Sequence, residues 1–587
     1  MTFREKMRAV MTPLVAEWVF IIVFVFFNNA VEFPFLIRSR SLGTALTHEL
    51  LACCESAFLA ALVVWLYTRP GMRWLKWVVT AVMAAGFFVS LFLYLQFDCP
   101  LLASIITLFL ETNREEATGF VGDFIAERSM IISAVVTLVA IAILLIADRR
   151  CRASTSPSRV MMVIIAVVVV LGATLFPLWV TGLLPAADAD RTVNKETSIT
   201  SNVDFISRVT VETLTLRQVA KEADDISRVT ATYDETPTVT TADSINIVLV
   251  IGESYNKYHA SLYGYALETT PRMTAEQTAG RLVRFDDAVS AYNVTSQSLK
   301  NMLSLNSIAA GERWCDFPFV TTVFKRAGFD VLMWDAQNTL LNGGIESDFD
   351  ITLNTVIYSD VMKRASYTLT NDMLFKYDGD LVDDFFARNG ERMSGGHTFA
   401  VLHLNGQHIA YARKYPDTDE YKVFTAADVT LQGAYMNDEK RHTVAEYDNA
   451  TRYNDYVLGR LFDRLADTRS IVIYLADHGE EVYDYRDFKM RDRTPDKTLE
   501  MVKYENDIPM IIWFAPALAE QMTHLPADAA RRPFIAYDLP HLLLGLAGIQ
   551  SKYYRPERDL LSPLYRPQRR VIYDTLDYDR LMSGYRK

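Results

Sequence analysis

Three apolar runs in this chain each end in residues able to hold a metal ion. INIVLVI, from 245, leads into Gly252-Glu253-Ser254. TFAVLHL, from 398, runs into His403-Leu404-Asn405-Gly406-Gln407-His408, and SIVIYLA, from 470, ends in Asp477-His478-Gly479-Glu480-Glu481. Carboxylates and imidazoles are the oxygen and nitrogen donors that suit zinc, less often manganese. One Asp-His pair at a strand end reads as ordinary structure; three such ends on one edge read equally as a metal site. A hydroxyl to accompany them stands in SAYNVTSQSLKNMLSLNS, residues 290–307, where Thr295 and Ser296 precede the helical spacing of Leu299, Met302 and Leu303. Taken alone, a hydroxyl there is a helix cap, and Asn293-Val294-Thr295 also spells a glycosylation acceptor.

The elements that must position these residues alternate in kind. FDVLMW at 329 and IPMIIWF at 508 add two apolar runs, and helical stretches lie between the five. Near-continuous apolar strands separated by helices predict an α/β domain with a mostly parallel central sheet covered by helices. Sheets of that kind bind ligands beyond the carboxyl ends of their strands, where the three donor segments fall. The domain is expected over 244–587. Residues 188–243, rich in Thr, Ser, Asp and Glu, read as a linker with bridging helices.

The front of the chain differs. Up to Leu184 there are 14 Lys and Arg against 12 Asp and Glu; beyond it there are 45 against 59. An acidic chain without clustered Lys and Arg excludes nucleic acid as the main partner. Five Cys, none in a C-x-x-C pair, exclude a disulfide scaffold, and only Cys315 lies in the C-terminal domain. The stretches 9–31, 50–68, 77–97, 130–147 and 160–187 carry at most one charge each, Glu17 in the first and Glu55 in the second. Each is long enough to cross a bilayer, which predicts a multi-pass α-helical membrane domain of five spans over 1–187. With a cytoplasmic N-terminus, the inner segments hold 10 Lys and Arg and the outer loops 4, so the C-terminal domain is expected outside. SIITLFLETNREEATGFVGDFI has helical apolar spacing and reads as an amphipathic outer segment near 100–127, with Thr112, Asn113 and Glu116 on its polar face.

In order, G-E-[ST], T-x-x-S-[LV]-x-x-M, H-x-x-x-x-H and D-H-G-E resemble the lipid A phosphoethanolamine transferases, a membrane-anchored, sulfatase-like branch of the alkaline phosphatase superfamily. GESYNKYHASLYGYALETTPRM (252–273), YDNATRYNDYVL (447–458) and LETNREEAT (110–118) are similar to further segments of that family, so the resemblance covers nearly the whole chain. It implies Thr295 as nucleophile and Glu253, Thr295, Asp477 and His478 as ligands of one zinc, with a second zinc left open. It implies that His408 is catalytic and binds the phosphoryl group or a second zinc, and that His403, Gln337, Thr112 and Glu116 bind substrate. The implied reaction moves the headgroup of phosphatidylethanolamine, through a phospho-threonine intermediate, to lipid A or a related envelope glycan, releasing diacylglycerol. The implied setting is the bacterial inner membrane, with a periplasmic catalytic domain and a monomeric chain. There are departures: Ala336 replaces an Asn before Gln337, and Lys300 and Asn301 stand where many relatives have a proline and flanking disulfide cysteines. VYDYRDFKMRDRTPDK, after D-H-G-E-E, lacks the further His that relatives often supply, and no C-x-P-x-R of a true sulfatase nucleophile is present. The alternatives are a phosphoglycerol transferase of the same superfamily and a non-catalytic phospholipid-binding membrane protein.

Overall fold

The computed structural model describes residues 11–31, 42–97, 127–151, 220–240, 244–337, 356–492 and 497–584, with the single positions 125 and 167. They fall into two units.

The first unit contains α1 (Trp18–Asn29), α2 (Leu42–Tyr67), α3 (Trp74–Phe97) and α4 (Arg128–Cys151). Trp74–Gln96 and Arg128–Ile146 are each long and apolar enough to cross a membrane, and Trp18–Asn29 and Ala52–Tyr67 are shorter apolar helices. Polar groups inside apolar helices are satisfied by partners on neighbouring helices, and three such pairs are described. Lys76 Nζ on α3 meets Glu17 Oε2, just before α1, at 2.6 Å. Asn29 Nδ2 on α1 donates to Ser56 Oγ on α2 at 3.0 Å, and Ser129 Oγ on α4 donates to Gln96 Oε1 on α3 at 2.6 Å. Thr112 and Glu116, nearly all of the fifth apolar stretch, and residues 188–219 lie outside the described residues.

The second unit is built on a seven-stranded sheet. Its strands are β1 (Asn246–Gly252), β2 (Leu282–Phe285), β3 (Asp330–Asp335), β4 (Leu369–Thr370), β5 (Thr398–His403), β6 (Ser470–Ala476) and β7 (Met510–Phe514). Their spatial order is β2-β7-β6-β1-β5-β3-β4. β7 is antiparallel to both β6 and β2, and the other pairings are parallel, so β7 alone runs against the rest. Every residue of β1, β5 and β6 is buried. Because successive side chains point to opposite faces, both faces of the sheet centre are covered. All five apolar runs are strands; β2 and β4 were too short to stand out as runs.

Register decides where the chemistry falls. Gly252 lies opposite Ala476 and Ile251 opposite His403. Glu253, Asp477 and the loop from Leu404 therefore leave three adjacent strands on one edge. The end of the expected linker also packs here: Ile226, in the helix over 220–231, is fully buried in this core, and Val239 pairs with Ile549.

Candidate active site

The turn after β1 is held in an unusual backbone shape. Ser254 has φ +54°, a left-handed conformation that costs a non-glycine residue energy and persists only under constraint. The constraints are visible. Ser254 N donates to Asp477 Oδ1 at 3.1 Å. Tyr447, on α7 (Asp438–Leu465), donates its hydroxyl to Ser254 O at 2.7 Å and accepts from Asn256 N at 2.6 Å. The neighbouring loop is pinned by Asp378, at the start of α6 (Asp378–Gly395), whose carboxylate accepts from Asn405 N at 2.8 Å and Gly406 N at 2.9 Å. Gly406 has φ +49°, and a Cβ there would come within 2.8 Å of Glu253 N. Only glycine allows this close approach.

Thr295 is the first residue of α5 (Thr295–Leu303), whose cap position, Val294, makes no side-chain cap. The Thr295 hydroxyl is turned to other use. Its Oγ1 donates to Glu253 Oε2 at 3.1 Å and lies 3.2 Å from His478 Nε2. The positive end of the α5 dipole sits behind it. Asn293 is buried, and its Nδ2 donates to Glu505 Oε2 at 2.5 Å and to Asp492 O at 3.0 Å. That side chain is a structural brace rather than a sugar acceptor.

Glu253, Asp477 and His478 are fully buried, and each offers a ligand atom within 4.8 Å of the others. His478 Nδ1 lies 2.9 Å from Gly479 O. A carbonyl can only accept, so Nδ1 carries the proton and Nε2 turns its lone pair to the cluster. Nε2 is 3.1 Å from Asp477 Oδ2 and 3.4 Å from Glu253 Oε1, and the buried Asp477 Oδ2 receives no hydrogen bond. Burial and the facing Glu253 charge push the Asp477 carboxyl well above its usual range. Burial acts the same way on Glu253, but the neighbouring His478, His408 and Arg491 outweigh it and hold that carboxyl below its usual range. Lone pairs converging on one point call for a cation, and oxygen and nitrogen donors with a hydroxyl fit zinc. A second donor group among the described residues, Asp225, Cys315 and Asp316, is spoken for: Arg313 pairs with Asp225 at 2.8 Å and Asp316 at 3.7 Å.

The other sequence candidates fall around this centre. Gln337 Nε2 donates to Glu253 Oε2 at 3.2 Å and to Leu404 O at 2.9 Å, so it steadies a ligand. His403 is buried, with Nδ1 2.9 Å from Asp335 Oδ1. Burial opposes its charge, but Asp335 prevails and pushes its pKa up to about 9. Asp335 also accepts from Tyr358 Oη at 2.6 Å and Gln337 N at 2.7 Å. His408 ends the same loop, half-buried. Sequence reasoning missed Arg491. Its side chain is 7% exposed, and Nη1 donates to Ser254 Oγ at 2.8 Å and His478 Nε2 at 3.0 Å, 3.5 Å from Glu253 Oε1 and 3.6 Å from Glu480 Oε2. The available signal was five Lys and Arg among the sixteen residues that follow D-H-G-E-E.

The sulfatase family profile matches residues 245–549, more than half of the chain. The chain belongs to the sulfatase family. This sulfatase-family chain is 27% identical over 351 residues to phosphoethanolamine transferase EptC of Escherichia coli, and the match spans 58% of each protein, under two thirds of that relative's length. It is 23% identical over 538 residues to phosphoethanolamine transferase CptA of Salmonella typhimurium, covering 88% of each. Its fold is that of the integral membrane lipooligosaccharide phosphoethanolamine transferase A (EptA) from Neisseria meningitidis, with TM-score 0.63 and 17% identity over 94% of this chain and 99% of that one. Helices at the N-terminus followed by a sulfatase-like domain with a mostly parallel sheet are common to both.

Proposed function

We propose that this chain is a zinc-dependent phosphoethanolamine transferase that moves the headgroup of phosphatidylethanolamine to lipid A or a related envelope glycan. One observation carries the reading: the Thr295 hydroxyl lies 3.1 Å from Glu253 and 3.2 Å from His478, where ligand atoms of Glu253, Asp477 and His478 converge. The names of EptC, CptA and EptA support the transferred group, and EptA's supports a lipid-linked glycan as acceptor. Glu253, Asp477, His478 and Thr295 would hold the ion, and zinc, when bound, supplies the Lewis acid that makes a threonine hydroxyl nucleophilic at neutral pH.

The remaining steps belong to the chain's own side chains. Glu253 Oε2 takes the hydroxyl hydrogen bond and leaves an Oγ1 lone pair directed outward. Thr295 Oγ1 attacks phosphorus as its proton passes to Glu253 Oε2: the P–O bond to Thr295 forms, the P–O bond to glycerol breaks, and diacylglycerol leaves with a proton from His408. The phosphoethanolamine-Thr295 ester splits one displacement into two. An acceptor oxygen, giving its proton to His408, then displaces Thr295, whose Oγ1 takes its proton back from Glu253. Two lipid substrates account for the apolar front of the chain. It forms a membrane domain over 1–187 with five spans and a cytoplasmic N-terminus, joined through 188–243 to a catalytic domain, 244–587, on the periplasmic side of the inner membrane. Thr112 and Glu116 would serve the donor headgroup, a carboxylate being the natural partner of the ethanolamine ammonium. Headgroup-labelled phosphatidylethanolamine should lose its label to protein and glycolipid while an equally labelled phosphatidylglycerol does not. Label transfer from phosphatidylglycerol alone would instead mark a phosphoglycerol transferase.

A further inference from the structure

Arg491 stands closer to the nucleophile than any sequence pattern suggested. Its Nη1 is 3.0 Å from His478 Nε2, and Thr295 Oγ1 is 3.2 Å from that same atom. Glu253 divides its two oxygens between them: Oε2 accepts from Thr295, while Oε1 lies 3.5 Å from Arg491 Nη1. We propose that Arg491 is a catalytic residue that binds a non-bridging oxygen of the phosphoryl group during transfer to and from Thr295, an assignment that rests on the transferase reading above.

The backbone around Arg491 is fixed in a way that serves this position. Met490 has φ +87° and pairs with Glu481, the last residue of D-H-G-E-E, in a two-residue antiparallel ladder. On the other side, Asp492 N donates to Glu505 Oε1 at 2.5 Å, and Asp492 Oδ2 accepts from Arg486 Nη2 at 2.9 Å. Glu505 also accepts from Asn293, which in turn donates to Asp492 O. One carboxylate thus ties the neighbour of Arg491 to the loop two residues ahead of Thr295. A strained residue between two such anchors shows that the position is over-determined.

The chemistry follows from lone-pair accounting. His478 Nε2 has a single lone pair, its Nδ1 being the protonated nitrogen. That lone pair cannot ligate an ion and accept from Arg491 at once. When the donor cluster holds its cation, the guanidinium keeps Ser254 Oγ and the Glu480 carboxylate but loses the imidazole, and an N–H beside Thr295 is left to serve an incoming anion. Non-bridging phosphoryl oxygens are where charge builds as phosphorus takes on a fifth oxygen, and donors fixed there in advance stabilise that state most. Arginine suits the task because it stays charged and its planar fork can take two oxygens together.

The test uses the full-length protein in detergent, loaded with zinc, as wild type, Arg491→Ala and Arg491→Lys. Three quantities are read: zinc per chain, the rate of phosphoethanolamine-Thr295 formation, and the rate ratio for the two phosphorothioate diastereomers of the donor. The expected result is full zinc content, adduct formation slowed about 10²–10³-fold in Arg491→Ala, and a diastereomer ratio that collapses toward unity. Arg491→Lys should fall between, since an ammonium retains the charge without the fork. If Arg491→Ala does not fold, the Lys variant decides by the same ratio. A wild-type rate, an unchanged diastereomer ratio, or a rate that falls only as zinc is lost each overturns the role. No adduct on wild type would instead sink the transferase reading and leave the two failures distinct.

Discussion

Thr295, Glu253, Asp477 and His478 form a set in which lone pairs outnumber the protons available to them. In the metal-free protein that arrangement is costly, most of all at Asp477, whose carboxyl burial and Glu253 push up. Asp477→Asn keeps an oxygen for Ser254 N and His478 N and turns an amide N–H2 toward His478 Nε2. The variant should be more stable than wild type without zinc, by about 1 kcal/mol, and should gain nothing from zinc. Wild type should gain about 2.7 kcal/mol when zinc stands at 100 times its Kd. Melting temperatures with and without zinc check both signs; a variant still stabilised by zinc would remove Asp477 from the ligand set. These four residues were legible in sequence because each follows an apolar run or opens a helix. His403 and Gln337 were legible as near the site but not in orientation, since Asp335 and Glu253 turn them inward. Arg491 was not legible because it is one of five Lys and Arg in a polar segment, and only its contacts with His478 and Ser254 single it out.

At the scale of elements, α7 does for the site what sequence similarity alone could not explain. Its Y-D-N segment places Tyr447 on the Ser254 turn and Asp448 on His259. Further along, Asp455 accepts from Arg272 N at 2.8 Å and Met273 N at 2.9 Å, capping the helix Pro271–Thr278 from outside. These motif residues are thus braces. His259 is buried between two carboxylates, Nδ1 2.6 Å from Asp448 and Nε2 3.2 Å from Asp484. Burial opposes its charge, but the two carboxylates prevail and push its pKa up to about 10 from an ordinary 6.5. A raised folded-state pKa gives stability that is complete below pH 6.5 and disappears as pH climbs through about 10. Zinc-loaded protein should therefore lose melting temperature across that window. His259→Gln should lack this component and, by leaving buried carboxylates unpaired, cost about 3–5 kcal/mol at neutral pH. Parallel pH curves for the two proteins would contradict the ion pair. The parallel sheet was legible from five apolar runs, whereas the reversed direction of β7 was not, because a buried strand reads the same in either sense.

At the scale of the whole molecule, composition alone divided the chain into an apolar front and an acidic back. Trp74–Gln96 and Arg128–Ile146 bear out the apolar length of two expected spans, while Trp18–Asn29 and Ala52–Tyr67 are shorter. The pairing of Glu17 with Lys76 was not legible, because 59 residues separate them. The burial of Ile226 and Val239 was not legible for a related reason: they are lone apolar residues in polar surroundings, and only the core they enter reveals them. The proposed chemistry gives both halves one purpose, since a donor and an acceptor anchored in lipid must reach a single hydroxyl. Intact mass of the full-length protein after incubation with phosphatidylethanolamine, followed by peptide mapping, tests that purpose most directly. The account predicts a phosphoethanolamine adduct on Thr295, absent from Thr295→Ala, with transfer in that variant lost by about a million-fold. An adduct on another residue, or undiminished transfer by Thr295→Ala, would contradict it.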